Sequence, residues 1–64
     1  MIINGQTITL PQPLTLLELL KSQGYDPRLV AVECGGVIVK RGAYADVIIT
    51  DADRLEIVSF VGGG

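Results

Sequence analysis

The sequence predicts an α+β domain, a mixed sheet of about five strands with one main helix across one face. Three observations carry this. Asn4-Gly5 stands between short β-forming runs, where a two-residue hairpin turn needs residues that tolerate positive φ. The stretch from Thr15 to Gly24 sets Leu16, Leu17, Leu19 and Leu20 between a capping signal and a stop. Runs rich in Val and Ile then recur at 29–34, 37–39, 47–49 and 54–61, separated by turn-forming residues.

Each element has its own reason. Ile2-Ile3 and Gln6–Leu10 flank the turn, and Ile8 and Leu10 alternate with Thr7 and Thr9, so one face of the second strand is apolar. Pro11 and Pro13 end that strand because proline cannot donate to a ladder. Thr15 and Glu18 form a capping box, with Leu14 and Leu19 spaced as a hydrophobic staple. Leu16, Leu17 and Leu20 are expected to face the core, while Glu18, Lys21 and Gln23 point outward. Gly24 stops the helix after about two turns, so packing rather than propensity must hold it. After a loop at 25–28, the strand 29–34 turns at Gly35-Gly36 into 37–39. Ala43-Tyr44-Ala45 is read as a single helical turn with Tyr44 as a lid on the core, and 47–49 as an extended run or a crossover under the sheet. Asp51 and Asp53 read as turn residues leading into the final strand, Arg54–Val61. The first hairpin and the helix cross over onto the third strand, and the final strand fills the sheet beside the first. This is the β-grasp arrangement.

Composition narrows the chemistry. The chain has 64 residues, enough for one core and no deep substrate cavity. Net charge is −2 and the largest basic cluster is Lys40-Arg41, which argues against nucleic acid. No apolar run approaches membrane-spanning length, and the first residues show no secretory signal. A single cysteine, Cys34, allows no internal disulfide and suits a reducing, cytoplasmic setting. With no histidine and that one cysteine, a metal site lacks good ligands and a His-based triad is impossible, so neither a metal nor a bound cofactor is expected. Composition thus argues against a self-contained hydrolase or metalloenzyme. Cys34 reads as a small apolar residue ending a strand rather than as a sulfur carrier. Lys40 and Arg41 read as a solvated pair, and Arg54 and Glu56 are placed for a weak exposed ion pair.

The last three residues, Gly62-Gly63-Gly64, bury nothing and are costly to order, so folding does not explain them. A thread without Cβ atoms can enter a narrow slot and present a terminal carboxylate on Gly64 inside a partner's active site, with Gly62 and Gly63 as the threading segment. The expected organisation is therefore a domain at 1–61 and a flexible, reactive tail at 62–64. On the final strand Leu55 and Ile57 should face the core, leaving Val58 and Phe60 as candidate partner-docking residues.

Several stretches resemble the ThiS family, the small ubiquitin-like sulfur carriers of thiamine biosynthesis: Ile3-Asn4-Gly5, Val30–Glu33, Val39-Lys40-Arg41 with Tyr44-Ala45, and above all Asp53–Gly64. The resemblance spans the chain. It departs at Ala52 and at Gly35, where the family often has Gly and Asn, and at Lys40, where proline is common. The resemblance implies a sulfur carrier whose Gly64 carboxylate is adenylated by a ThiF-type enzyme using ATP. A cysteine desulfurase or rhodanese-like donor then supplies sulfur, and the resulting thiocarboxylate serves a ThiG-type thiazole synthase. Alternatives within the same class are a carrier of the molybdopterin-synthase small-subunit type and a ubiquitin-like protein modifier; a purely structural interaction domain is a further one.

Overall fold

The computed structural model describes residues 1–60. It opens with the hairpin that Asn4-Gly5 encodes, β1 (Ile2–Ile3) antiparallel to β2 (Gln6–Thr7). Asn4 and Gly5 take φ of 50° and 83°, the left-handed pair of a type I′ turn. The second strand is shorter than the expected 6–10. Ile8 still exchanges hydrogen bonds with Met1, its N–H donating to the Met1 carbonyl at 2.8 Å while the Met1 amino group donates to the Ile8 carbonyl at 2.8 Å. Beyond that point the chain leaves the ladder, and the Leu10 N–H donates to Asp51 Oδ1 at 3.0 Å instead. Ile8 and Leu10 nonetheless pack against the core, as their alternation requires.

Leu14–Thr15 forms a short strand, β3, that runs directly into the helix α1 (Leu16–Ser22). The capping box is complete: the Glu18 N–H donates to Thr15 Oγ1 at 3.0 Å and the Thr15 N–H donates to Glu18 Oε1 at 2.9 Å. Leu16, Leu19 and Leu20 are fully buried, while Leu17 lies half-buried at the margin. The expected stripe of Leu16, Leu17 and Leu20 is thus rotated by one position. At about 100° per residue Leu17 and Leu19 flank Leu16 and Leu20 on opposite sides, and the Leu19 flank is the buried one. Gly24 follows the last turn with φ of 84°.

The loop after the helix contains a 3-10 turn, Pro27–Leu29, capped by Asp26, whose carboxylate accepts from the Arg28 backbone at 3.0 Å and from its guanidinium at 2.8 Å. The strand expected at 29–34 therefore begins one residue later, as β4 (Val30–Cys34), and turns through Gly35-Gly36 into β5 (Val37–Val39). The helical turn expected at 43–45 forms slightly earlier, as a 3-10 turn at Arg41–Ala43. Tyr44 follows it, buried, and its hydroxyl donates to the Val30 carbonyl at 3.2 Å, which matches the lid expected of it. Ile48–Ile49 forms β6, which pairs antiparallel with β3 as a separate two-stranded sheet.

The last element, β7 (Arg54–Ser59), is the centre of the main sheet, whose order is β2-β1-β7-β4-β5. It runs parallel to β1 and antiparallel to β4. With α1 across one face, this is the mixed five-stranded β-grasp that the sequence predicts. The core joins Ile3, Val30, Val32, Leu55 and Ile57 from the sheet to Leu16, Leu19 and Leu20 from α1, with Met1, Tyr44 and Ile49 closing its edges. No helix among the described residues is long and apolar enough to cross a membrane. The expected Arg54–Glu56 ion pair does not form. The ion pairs among the described residues are Met1 amino to Asp51 at 2.9 Å and Arg28 to Asp26 at 2.8 Å.

Two outcomes test this description. Thr15→Ala removes one half of the capping box and strands the other, and should cost about 1 kcal/mol of stability in chemical denaturation without changing the sheet. The second concerns pH. The Arg28 side chain and backbone hold the Asp26 carboxyl down to about 2, the Leu10 N–H and the Met1 amino group hold Asp51 low, and the Thr15 backbone holds Glu18 low. A carboxyl with a depressed folded pKa adds stability that is complete above its unfolded pKa and lost as pH falls through the folded value. Thermal melts should therefore hold a steady Tm above about pH 5 and show a falling one from about pH 4 toward pH 2. Asp26→Asn and Asp51→Asn should each flatten part of that fall.

Candidate functional site

The strand leading to the glycine tail alternates cleanly. Leu55 and Ile57 enter the core at 0% and 6% exposure, and Glu56 and Val58 face outward. Phe60 lies beyond the strand proper, but its N–H donates to the Leu29 carbonyl at 2.8 Å and so extends the β4–β7 ladder by one step. Its ring is 62% exposed and Val58 is 60% exposed, so Phe60 does not fold back over the core edge. Gly62, Gly63 and Gly64 lie outside the described residues, as does Val61, the last residue of the expected domain.

The face that bears Val58 and Phe60 is larger than these two residues. On β4 the register places Ala31 opposite Val58 and Glu33 opposite Glu56, and on β5 it places Ile38 opposite Glu33. Leu29 and Ile38 are exposed at 40% and 73%. The signal for these additional residues was present in the run 29–34: Val30 and Val32 claim the core, so Leu29, Ala31 and Glu33 must take the other side.

Asn4 does more than turn the first hairpin. Its N–H continues the β1–β7 ladder by donating to the Leu55 carbonyl at 2.9 Å. Its side chain then takes over where β1 ends: the Ile57 N–H donates to Asn4 Oδ1 at 2.7 Å, and Asn4 Nδ2 donates to the Ile57 carbonyl at 3.1 Å. A side-chain amide has the donor and acceptor of a peptide unit, so Asn4 pairs with β7 as one further strand residue would. Ile57 is held in this way three residues before Phe60. Turn statistics alone explain Asn-Gly and hide this second role.

The remaining candidates resolve as follows. Cys34 is half-buried, with its Sγ 4.0 Å from Asp53 Oδ1. Burial, and then the Asp53 carboxylate, push its thiol pKa up, which disfavours the nucleophilic thiolate. Asp51 and Asp53 are turn residues: Asp53 accepts from the Thr50 N–H at 2.7 Å and donates its own N–H to the Thr50 carbonyl at 3.1 Å. Among the described residues Asn4 alone of the non-glycine residues has positive φ, so the turn closes with Ala52 in an ordinary conformation. Lys40 and Arg41 are exposed and make no ion pair among the described residues. No group of three His, Cys, Asp or Glu among the described residues is placed to hold a metal ion.

The fold and this strand geometry have close relatives. The model of the ThiS family matches residues 1–64. The chain belongs to the ThiS family. Among solved structures, the crystal structure of the thiamine biosynthesis protein ThiS from Geobacter metallireducens superposes with a TM-score of 0.81 at 30% identity, covering 98% of this chain and 96% of that one. The sulfur carrier protein ThiS of Bacillus subtilis is 40% identical over 50 residues, 78% of this chain and 76% of that protein. A thiazole synthase of Paramagnetospirillum magneticum is 44% identical over all 64 residues of this ThiS-family chain. The chain spans only about a fifth of the thiazole synthases it matches, 20% and 19% of their lengths.

Asn4→Gly keeps the left-handed turn and removes the side-chain grip. It should cost about 1–3 kcal/mol and speed hydrogen exchange at the Ile57 amide while leaving the Val32 amide protected. Uniform loss of protection would show that the amide contacts do not act locally.

Proposed function

We propose that this ThiS-family chain is a sulfur carrier for thiazole formation in thiamine biosynthesis, acting in the cytoplasm, with the Gly64 carboxylate as the group that is loaded. The observation that carries the reading is the family match over the whole chain, including Gly62-Gly63-Gly64. The thiamine pathway is favoured over molybdopterin synthesis or protein modification by the names of the relatives, a sulfur carrier protein ThiS and thiazole synthases.

The chemistry follows from the unreactivity of a carboxylate. Its charge repels nucleophiles, and it has no good leaving group. In this reading a ThiF-type enzyme binds ATP, and a Gly64 carboxylate oxygen attacks the α-phosphorus, expelling pyrophosphate and forming an acyl-adenylate. A persulfide on a cysteine desulfurase or rhodanese-like donor attacks the carbonyl carbon and AMP leaves. A second thiol cleaves the resulting S–S bond, leaving a thiocarboxylate on Gly64 and a disulfide on the donor side. The thiocarboxylate sulfur is then donated to a ThiG-type thiazole synthase. The chain contributes the reacting group and its delivery, and its partners contribute the catalysis. The raised pKa of the Cys34 thiol supports this division, since it leaves Cys34 a poor alternative sulfur carrier.

The position of Val58 and Phe60 supports their role in docking. Gly64 lies four residues beyond Phe60, a reach of at most about 14 Å. An enzyme that reacts at Gly64 must therefore bring its own surface close to the end of β7, where Val58 and Phe60 are exposed. Gly62 and Gly63 would pass through the entrance of its active site.

Incubation with ATP, a competent adenylating enzyme and a sulfur source should raise the intact mass by about 16 Da, oxygen being replaced by sulfur at the C-terminus. Deletion of Gly63-Gly64 should abolish the gain. No shift with a partner that loads another carrier would overturn the reading, and a ladder of lysine conjugates in cells would replace it with protein modification.

A further inference from the structure

Asn4 is the only asparagine in the chain, and Gly5 follows it. An asparagine before a glycine sets an electrophile beside a nucleophile. The Gly5 nitrogen can attack Asn4 Cγ, and glycine has no side chain to hinder the approach. The bond from Cγ to Nδ2 breaks, and ammonia leaves with the proton that the Gly5 nitrogen gives up. The product is a five-membered succinimide within the main chain. Water then opens the ring at one carbonyl or the other, leaving aspartate or isoaspartate. No electrons are exchanged, and water is the sole co-reactant. Asn4 is exposed, so water reaches it.

The folded geometry opposes the first step. Asn4 Oδ1 accepts from the Ile57 N–H at 2.7 Å and Asn4 Nδ2 donates to the Ile57 carbonyl at 3.1 Å, so both ends of the amide are held on β7. The backbone is held as well, by φ of 50° in the turn and by the Asn4 N–H on the Leu55 carbonyl at 2.9 Å. Cγ comes within bonding distance of the Gly5 nitrogen only if the side chain or the turn rotates, and that rotation pulls the amide off Ile57. We propose that Asn4 is a deamidation site held in check by its own grip on Ile57, so that each opening of this contact exposes the grip to irreversible loss. Aspartate would still accept from the Ile57 N–H, but it would set an oxygen against the Ile57 carbonyl where Nδ2 had donated. Isoaspartate would carry the main chain through the former side chain, adding a carbon to a turn built for two residues. Either product frees Ile57 on the flank away from β4 and slackens the root of the final strand. This chemistry at Asn4 is the same whatever Gly64 carries.

The test follows the wild-type, full-length chain on prolonged warming at mildly alkaline pH, folded in buffer and unfolded in guanidinium chloride. Peptide mass mapping reads the exchange of NH2 for OH at Asn4, and chromatography separates isoaspartate from aspartate. Asn4 should convert roughly tenfold or more slowly in the folded chain. Thr15→Ala lowers global stability without touching the turn, so its folded-state rate should stay within about twofold of the wild type. Converted protein should exchange its Ile57 amide faster while the Val32 amide stays protected, and Asn4→Asp should reproduce that pattern. Equal rates in the folded and unfolded chain would overturn the inference. So would a folded-state rate that rises about fivefold in Thr15→Ala, because global unfolding and not the local grip would then be the guard. Unchanged exchange at Ile57 after conversion would overturn it as well.

Discussion

The structure depends on one constraint: the last strand in the sequence is the middle strand of the sheet. β7 lies between β1, which it joins in parallel, and β4, which it joins antiparallel. Without it the first hairpin and the second hairpin share no edge. Leu55 and Ile57, its inward residues, fill the core between Ile3 on one side and Val30 and Val32 on the other. The helix and the two-stranded β3–β6 sheet close over a core that only β7 completes. Most of the order in the molecule is therefore paid for through contacts between residues far apart in sequence, as in the pairing of Ile2 with Arg54.

That constraint also gives the two faces of β7 different surroundings. The same strand anchors the core on its inner side and presents Glu56 and Val58 on its outer side before leading to the glycines. Its backbone is gripped on one flank by the β4 ladder as far as Phe60, and on the other by the side chain of Asn4. The tail thus departs from a fixed root. In the proposed carrier role this would suit a partner that recognises the base, because the reacting group would then lie within a short, defined reach.

The sequence revealed the local devices and the fold, and it hid what depends on distant partners. Asn4-Gly5, the Thr15–Glu18 capping box, and the alternation at Leu55 and Ile57 each act through neighbours in the chain, so their residue types announce them. The core stripe of α1 was misplaced by one residue because Leu19 was assigned to a staple rather than to the buried face. β3 was not anticipated, since Leu14-Thr15 is extended only through pairing with Ile48-Ile49 across more than half the chain. The amide grip of Asn4 on Ile57 and the anchoring of Asp51 by the Met1 amino group and the Leu10 N–H were equally illegible, because they join segments 53, 50 and 41 residues apart. Of the candidate site, the exposure of Val58 and Phe60 followed from strand parity alone, whereas the opposition of Glu33 and Glu56 required the register of two strands.

The flanking of β7 has a mechanical side. In the proposed role, a pull on the end of the chain would run back along β7. The ladders to β1 and β4 lie across the direction of pull, so their hydrogen bonds are strained together rather than peeled one at a time. A strand at the border of the sheet, tugged outward, would instead unzip. Centring the last strand thus lets a pull at the end of β7 load both of its ladders at once instead of unravelling an edge.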